Sequence, residues 1–263
     1  MKDLTTVKKL AALIVCSLGF LGTLQAQNDA LNTLSEAEKK EGWKLLFDGK
    51  SLIGWRNYRE SAPPSKHWDI EEGCLKNPKG TGRPETGGGE ILTSDEFTDF
   101  DFRFERRIAP GGNSGVIYFV KERQNTPGAK MFGGDDGTGP VGHEYQLLDD
   151  EQHPDGKDPA HRAGALYALI APNATKRLKP VGEFNQSRIL VQGKHVEHWL
   201  NGAKILQYEL ESPDFLHAVA TSKYRDLPGF GTKFKTRIQL QDHGDEIWFR
   251  NLKIRSLSAT AGQ

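Results

Sequence analysis

The sequence predicts an all-β domain built as a sandwich of two antiparallel sheets. Three observations carry that expectation. The 263 residues include 29 glycines and 13 prolines, which punctuate short apolar runs in the manner of strands separated by turns. Residues 100–106, Phe-Asp-Phe-Arg-Phe-Glu-Arg, alternate aromatic and charged side chains with the period of a half-buried strand. Asn201-Gly202, between two such runs, is a strong hairpin signal. One sandwich domain is normal for this length.

The first 26 residues stand apart. Lys2, Lys8 and Lys9 precede an apolar run from Leu10 to Leu24, and Leu24-Gln25-Ala26 resembles a cleavage site before Gln27. Residues 1–26 therefore read as a secretory signal peptide, and a periplasmic or secreted protein is expected. The run is short for a membrane span, and no later run is long enough to be one. Cys16 follows Val15, bulkier than a lipobox residue, so an outer-membrane lipoprotein is not expected. Cys74 alone remains after the leader, which rules out an intramolecular disulfide. A chain of roughly 235 residues buries an adequate core without one. Lys+Arg and Asp+Glu both number 35. With no basic stripe, nucleic acid is not an expected partner.

Residues 27–41 read as a linker and one short helix, capped by Ser35, with Glu36 and Glu38 in its first turn and Gly42 ending it. Strands are expected at 43–47, 51–55, 67–70 and 74–76. Residues 77–89 are a glycine-rich loop. It lacks the Lys-Ser/Thr ending of a P-loop and no helical pattern follows, so a phosphate-binding reading is rejected. Further strands are expected at 90–94, 100–106 and 116–120. A long loop over one sheet is expected at 121–140, and loops of that length are often functional. Strands then follow at 141–150, 164–170, 187–191, 195–200 and 204–210. Residues 211–236 read as loop or short helix. Residues 237–244 and 247–254 read as a closing hairpin, and 256–263 as a disordered tail.

The strand at 141–150 organises the functional reading. Side chains alternate between its faces, so Tyr145 and Leu147 suit a core while Glu144 and Gln146 share the other face. That face is either simply solvated or a polar site with an ionisable group at its centre.

The motifs Leu46-Phe47-Asp48-Gly49-Lys50-Ser51-Leu52, Gly54-Trp55, Gly112-Asn113-Ser114-Gly115, Glu144-Tyr145-Gln146-Leu147-Leu148-Asp149, Gly164-Ala165-Leu166-Tyr167, Leu240-Gln241-Asp242-His243-Gly244 and Phe249-Arg250-Asn251-Leu252-Lys253-Ile254 occur in an order that resembles the 3-keto-disaccharide hydrolase family over residues 42–255. The resemblance implies a concanavalin-like jelly roll with a groove on its concave sheet. It also implies bacterial, usually periplasmic, enzymes that cleave glycosides already oxidised to a ketone at sugar C3. Such a ketone acidifies the C2 hydrogen. Removing it gives an enolate that expels the C1 substituent, and water then adds to the enone. The chemistry needs a base near C2, an electrophile near the 3-oxo oxygen and an acid for the leaving oxygen. A divalent metal ion is a possible electrophile.

Glu144 is the first candidate for base or metal ligand, and His198 and His243 for acid, base or ligand. Gln146, Asn113, Arg162, Tyr167, Glu90 and Gln241 are candidates for substrate binding. Asp149 and His153 join Glu144 and His198 as possible metal ligands. Two alternatives stay open: a non-catalytic carbohydrate-binding module, and an ordinary glycoside hydrolase with two carboxylates across the groove.

Overall fold

A computed structural model describes residues 31–58, 60–61, 63–64, 67–80, 89–122, 141–227 and 229–258. The leader, most of the glycine-rich loop, the expected loop from 123 to 140 and the last five residues lie outside the described residues.

Thirteen strands and two α-helices are described: α1 (Glu36–Lys40), β1 (Trp43–Leu45), β2 (Trp55–Asn57), β3 (Asp69–Glu71), β4 (Cys74–Asn77), β5 (Ile91–Thr93), β6 (Phe100–Ile108), β7 (Asn113–Lys121), β8 (Val141–Leu148), β9 (Asn185–Gln192), β10 (His195–Leu200), β11 (Ala203–Glu209), α2 (Pro213–Thr221), β12 (Gln239–Leu240) and β13 (Ile247–Ser256). One sheet of eight strands runs β11-β10-β9-β6-β13-β4-β3, with β1 also on β13, and a sheet of five runs β2-β5-β12-β7-β8. Every strand pairing is antiparallel. The fold is thus the all-β, jelly-roll sandwich the sequence predicts.

The core lies between the sheets. Phe100, Phe102 and Phe104 project from β6 and meet Phe249 and Ile254 of β13 on the same sheet. Val116, Tyr118, Tyr145, Leu147 and Leu240 face them from the five-stranded sheet. Burying an aromatic side chain here stabilises the fold by roughly 1.5–3 kcal/mol. The geometry is specific as well: Phe104 meets Tyr145 edge-on at 5.8 Å between centroids. At the N-terminus Ser35 and Glu38 form a reciprocal capping box on α1, and Glu38 also reaches Lys253, fastening the helix to β13.

Four sequence expectations change. Residues 237–244 and 247–254 do not pair as a hairpin. β12 belongs to the five-stranded sheet and β13 to the other, so the chain crosses between sheets at 241–246. Residues 164–170 form turns with two isolated bridges, Tyr145↔Leu166 and Leu166↔Ile170, because Gly164 and Ala168 take positive φ values of 83° and 56°. Residues 51–54 form a turn rather than a strand, and extension begins at Trp55. The ordered chain also continues past 255: Ser256 pairs with Phe100 and the Leu257 amide donates to the Asp99 carbonyl.

Candidate active site

The outward face of the five-stranded sheet can be read from its register. Ile238 and Leu240 are in the core, so Gln239 faces outward. Gln239 pairs with Ile117 on one side and Leu92 on the other, Ile117 pairs with Glu144, and Leu92 pairs with Arg56. One rung across the sheet is therefore Glu144, Ile117, Gln239, Leu92, Arg56. Two residues along the strands, Gln146 pairs with Gly115, the Gln241 amide donates to the Gly115 carbonyl, and the Tyr58 amide to the Glu90 carbonyl. The second rung is Gln146, Gly115, Gln241, Glu90, Tyr58. Asn113 begins the third, and its side-chain nitrogen lies 3.4 Å from His243 Nε2. Five of the sequence candidates, Glu144, Gln146, Asn113, Gln241 and Glu90, thus share one face, with His243 exposed at its end.

Glu144 is half-buried, and its side chain lies across Gly115. A Cβ at position 115 would stand 2.1 Å from Glu144 Oε1, which explains why the second rung has a glycine there. Gln146 holds the carboxylate from the side. With its amide oriented to satisfy both ends, Nε2 lies 3.0 Å from Glu144 Oε1 and 3.2 Å from the Ser114 carbonyl, and Oε1 faces the Asn113 amide at 3.1 Å. Turning Asn113 likewise presents its nitrogen to Gln146 and its oxygen to His243. A hydrogen-bonded line then runs from His243 through Asn113 and Gln146 to Glu144.

Burial pushes the Glu144 carboxyl up to about 7, Asp155 adds to the effect and Lys223 opposes it. Lys223 is the cation of this wall. Its Nζ lies 4.1 Å from the centroid of the Tyr167 ring, and burial holds its pKa below the usual lysine range despite Glu144 and Asp155. The Tyr167 backbone amide donates to the Glu144 carbonyl at 3.1 Å, and its hydroxyl donates to Asp155 Oδ2 at 3.3 Å. The Tyr167 backbone therefore stands beside that of Glu144. Farther across the same sheet face the Glu90 carboxyl is raised by burial and by the neighbouring Asp242.

Other candidates lie elsewhere. His198 does not share the outward face of Glu144. It is fully buried on β10 between the sheets, with Nε2 on the Tyr118 hydroxyl at 2.8 Å and Nδ1 on the Gly164 carbonyl at 2.9 Å. Arg162 is exposed and donates from Nε to the Gly156 carbonyl, bracing its own loop. Asp149 accepts from the amides of Gly111, Glu151 and Gln152. His153 Nδ1 accepts from the Asp155 amide. Glu144, His198, Asp149 and His153 thus do not converge as a ligand set. Among the described residues no group of three or more His, Cys, Asp or Glu side chains is placed to hold a metal ion, and no described helix is long and apolar enough to cross a membrane.

The sequence reading missed Lys223 and Gln239. Gln239 alternates with Ile238 and Leu240, so its outward position was readable by strand parity. Lys223 follows α2 in irregular chain, and nothing local shows that it packs beside Glu144.

The structure is a two-sheet jelly roll whose five-stranded sheet carries polar side chains, Glu144 among them, on its outward face. The chain belongs to the 3-keto-alpha-glucoside-1,2-lyase-like domain family, whose profile matches residues 42–255. It is 34% identical over 250 residues to a Bacteroides thetaiotaomicron protein named 3-keto-disaccharide hydrolase, covering 88% of this chain and 83% of the relative. A crystal structure from Parabacteroides distasonis, given as a candidate glycosyl hydrolase, superposes with a TM-score of 0.74 at 31% identity over 87% of this chain and 100% of that one. A second from the same organism, similarly described, gives 0.58 at 28% identity, covering 82% and 99%. With the family comes the class: the protein is a carbohydrate-active hydrolase.

Proposed function

We propose that the protein cleaves 3-keto-glycosides by elimination followed by hydration. The observation that carries this reading is Glu144, a carboxylate with its pKa pushed up to about 7, held over Gly115 on the outward sheet face within electrostatic reach of Lys223. The name of the Bacteroides relative supports the substrate class. Glu144 takes the proton from C2. The electron pair moves into the ketone to form the enolate, and the Lys223 ammonium stabilises its oxygen. Collapse of the enolate breaks the C1–O bond, and the departing oxygen takes a proton from water, leaving hydroxide. That hydroxide adds at C1 of the enone, and the proton held by Glu144 returns to C2, so one water is consumed overall. A base with a pKa near the operating pH is effective in the first step because it is both ionised and still basic. We also infer export, from the leader at residues 1–26.

The decisive assay compares a 3-keto-glucoside with its unoxidised parent, with and without EDTA. Cleavage of the keto form alone supports elimination. Cleavage of the parent would favour an ordinary glycosidase, and binding without cleavage of either would favour a lectin-like module. Loss with EDTA and recovery with a divalent ion would add a metal to the chemistry.

Two predictions arise here. Because Glu144 must be ionised to act, kcat/KM on the keto substrate rises with pH through about 7 and levels above it. A profile flat from pH 5 to 8 would remove Glu144 as the base. Gly115→Ala drives a methyl group into the carboxylate, so kcat falls about 100-fold, the scale of a misplacement near 1 Å, while the circular dichroism spectrum is retained. Unchanged kcat would show that the carboxylate position is not critical.

A further inference from the structure

We propose that the outer face of the eight-stranded sheet carries a separate glycan-binding site, which holds a uronic-acid-bearing chain by its carboxylates. Glu144 lies on β8 of the other sheet, so the site is independent of the reading of that residue.

A cavity of about 650 Å³ lies on this face. Its centre is one rung of the sheet read across four strands: Trp199 of β10 pairs with Arg188, Arg188 with Arg103, and Arg103 with Lys253 of β13. All four side chains line the cavity. Three cations side by side on one face repel one another, so the rung needs anions, and those present fall short. Lys253 pairs with Glu38, and Arg250 on the next rung pairs with Glu105. Arg103 and Arg188 share a single carboxylate. Both donate from Nη2 to Asp101 Oδ2 at 3.0 Å, and from Nε to Oδ1 at 3.3 and 2.7 Å. Asp101 is fully buried beneath them. Two guanidinium groups on one carboxylate leave one positive charge uncompensated.

The same geometry prepares the donors. Each guanidinium is fixed along one edge by Asp101, and neither Nη1 makes a hydrogen bond among the described residues. The Arg103 and Arg188 side chains stay 43% and 26% exposed. A planar guanidinium held in this way matches the two oxygens of a carboxylate.

The surroundings favour a glycan over an acidic peptide. β9, β6 and β13 are paired on both sides beneath the cavity, so they offer no strand edge for a peptide to extend. Trp199 is half-buried at one end, an apolar surface for the C–H face of a pyranose. Gln186, exposed and lining the same cavity, presents an amide whose donor and acceptor suit neighbouring sugar hydroxyls. The rung spans roughly 14 Å at the usual strand spacing, room for a short run of sugar units.

The test is calorimetric titration of the mature protein with tetragalacturonate, tetramannuronate, the methyl ester of each, and tetraglutamate. The expected result is binding of at least one uronate, weakened about tenfold by esterification and about tenfold by Arg188→Gln, the scale of a charge-assisted hydrogen bond. Arg103 still pairs with Asp101 in that variant. Gln186→Ala, which removes an exposed side chain, should weaken binding about fivefold with an unchanged thermal midpoint, and it decides the location if Arg188→Gln does not fold. Equal binding of acid and ester would overturn recognition of the carboxylate. Equal binding of tetraglutamate would overturn the glycan class. Unchanged affinity in the folded variants would overturn the location, and no binding of either uronate at concentrations on the order of 10 mM would overturn the site.

Discussion

Glu144→Gln loses cleavage of a 3-keto-glucoside by on the order of 10^3-fold, within the range for removal of a general base, and the variant is more stable than wild type at pH 8. Both effects have one cause. Glu144 is held against Gly115 and Gln146 with its carboxyl pushed from the ordinary 4.5 up to about 7 by burial. A glutamine of the same shape still accepts from Gln146 but cannot take a proton from carbon. On stability, the folded state of wild type binds the Glu144 proton more tightly than the unfolded chain does. The resulting advantage is present at low pH and is lost as pH rises from about 4.5 to about 7. Above that window the buried anion costs up to roughly 3 kcal/mol, and Glu144→Gln removes the cost. Thermal melts at pH 8 and pH 4 check this. The variant should be more stable than wild type at the upper pH and should lose that advantage at the lower. Retained activity would exclude Glu144 as the base. A wild type more stable than the variant at pH 8 would show that the carboxylate is not strained by burial.

Strand parity carried much of the sequence reading. It put Phe100, Phe102 and Phe104 inside, and Glu144 and Gln146 together on the opposite face from Tyr145, as found. It works because the period of two is local to the chain. His198 was misplaced although the same signal was available. Val196 and Leu200 share its parity and are buried with it, so an apolar stripe runs through the histidine. Sheet membership was less legible. Residues 237–244 and 247–254 alternate like a hairpin, yet β12 inserts between β5 and β7 while β13 lies in the other sheet. That choice depends on partners far away in sequence. Lys223 is the extreme case: it approaches the site through an irregular segment after α2, and only the packed fold brings it beside Glu144.

The misplaced histidine leads to the second large effect, an acid-sensitive core. His198 Nδ1 lies 2.9 Å from the Gly164 carbonyl, which can only accept, so Nδ1 carries the proton. In the neutral ring Nε2 then accepts from the Tyr118 hydroxyl. The Tyr118 oxygen accepts from Tyr208 at 2.8 Å, and the Tyr208 oxygen accepts from His143 Nδ1 at 2.7 Å. One carbonyl thereby fixes every proton along a line of four buried side chains. The line ends at His143 Nε2, which is buried without a partner, its ring packed among Phe119, Phe215 and Phe230. Burial lowers His143 to about 3, helped by His198, and lowers His198 to about 4.

Both groups bind protons better in the unfolded chain. Their contribution to stability is therefore intact above the ordinary histidine value and is lost as pH falls from about 6.5 toward 4. His198 alone accounts for roughly 3 kcal/mol across that window, a large fraction of the stability of a typical domain. Denaturant unfolding at pH 7, 5.5 and 4.5 should show a steep fall, and His143→Leu should make it shallower by removing one of the two acid-sensitive rings. Tyr118→Phe should cost about 1–3 kcal/mol at pH 7 by leaving the partners of the hydroxyl unpaired. The direction is opposite to that of Glu144, whose burial destabilises at high pH. Wild type is thus limited from below by its core histidines and from above by the buried Glu144 carboxylate. A stability profile flat between pH 7 and 4.5 would mean that the two histidines reach water before the fold opens, and the fixed line of protons would then be wrong.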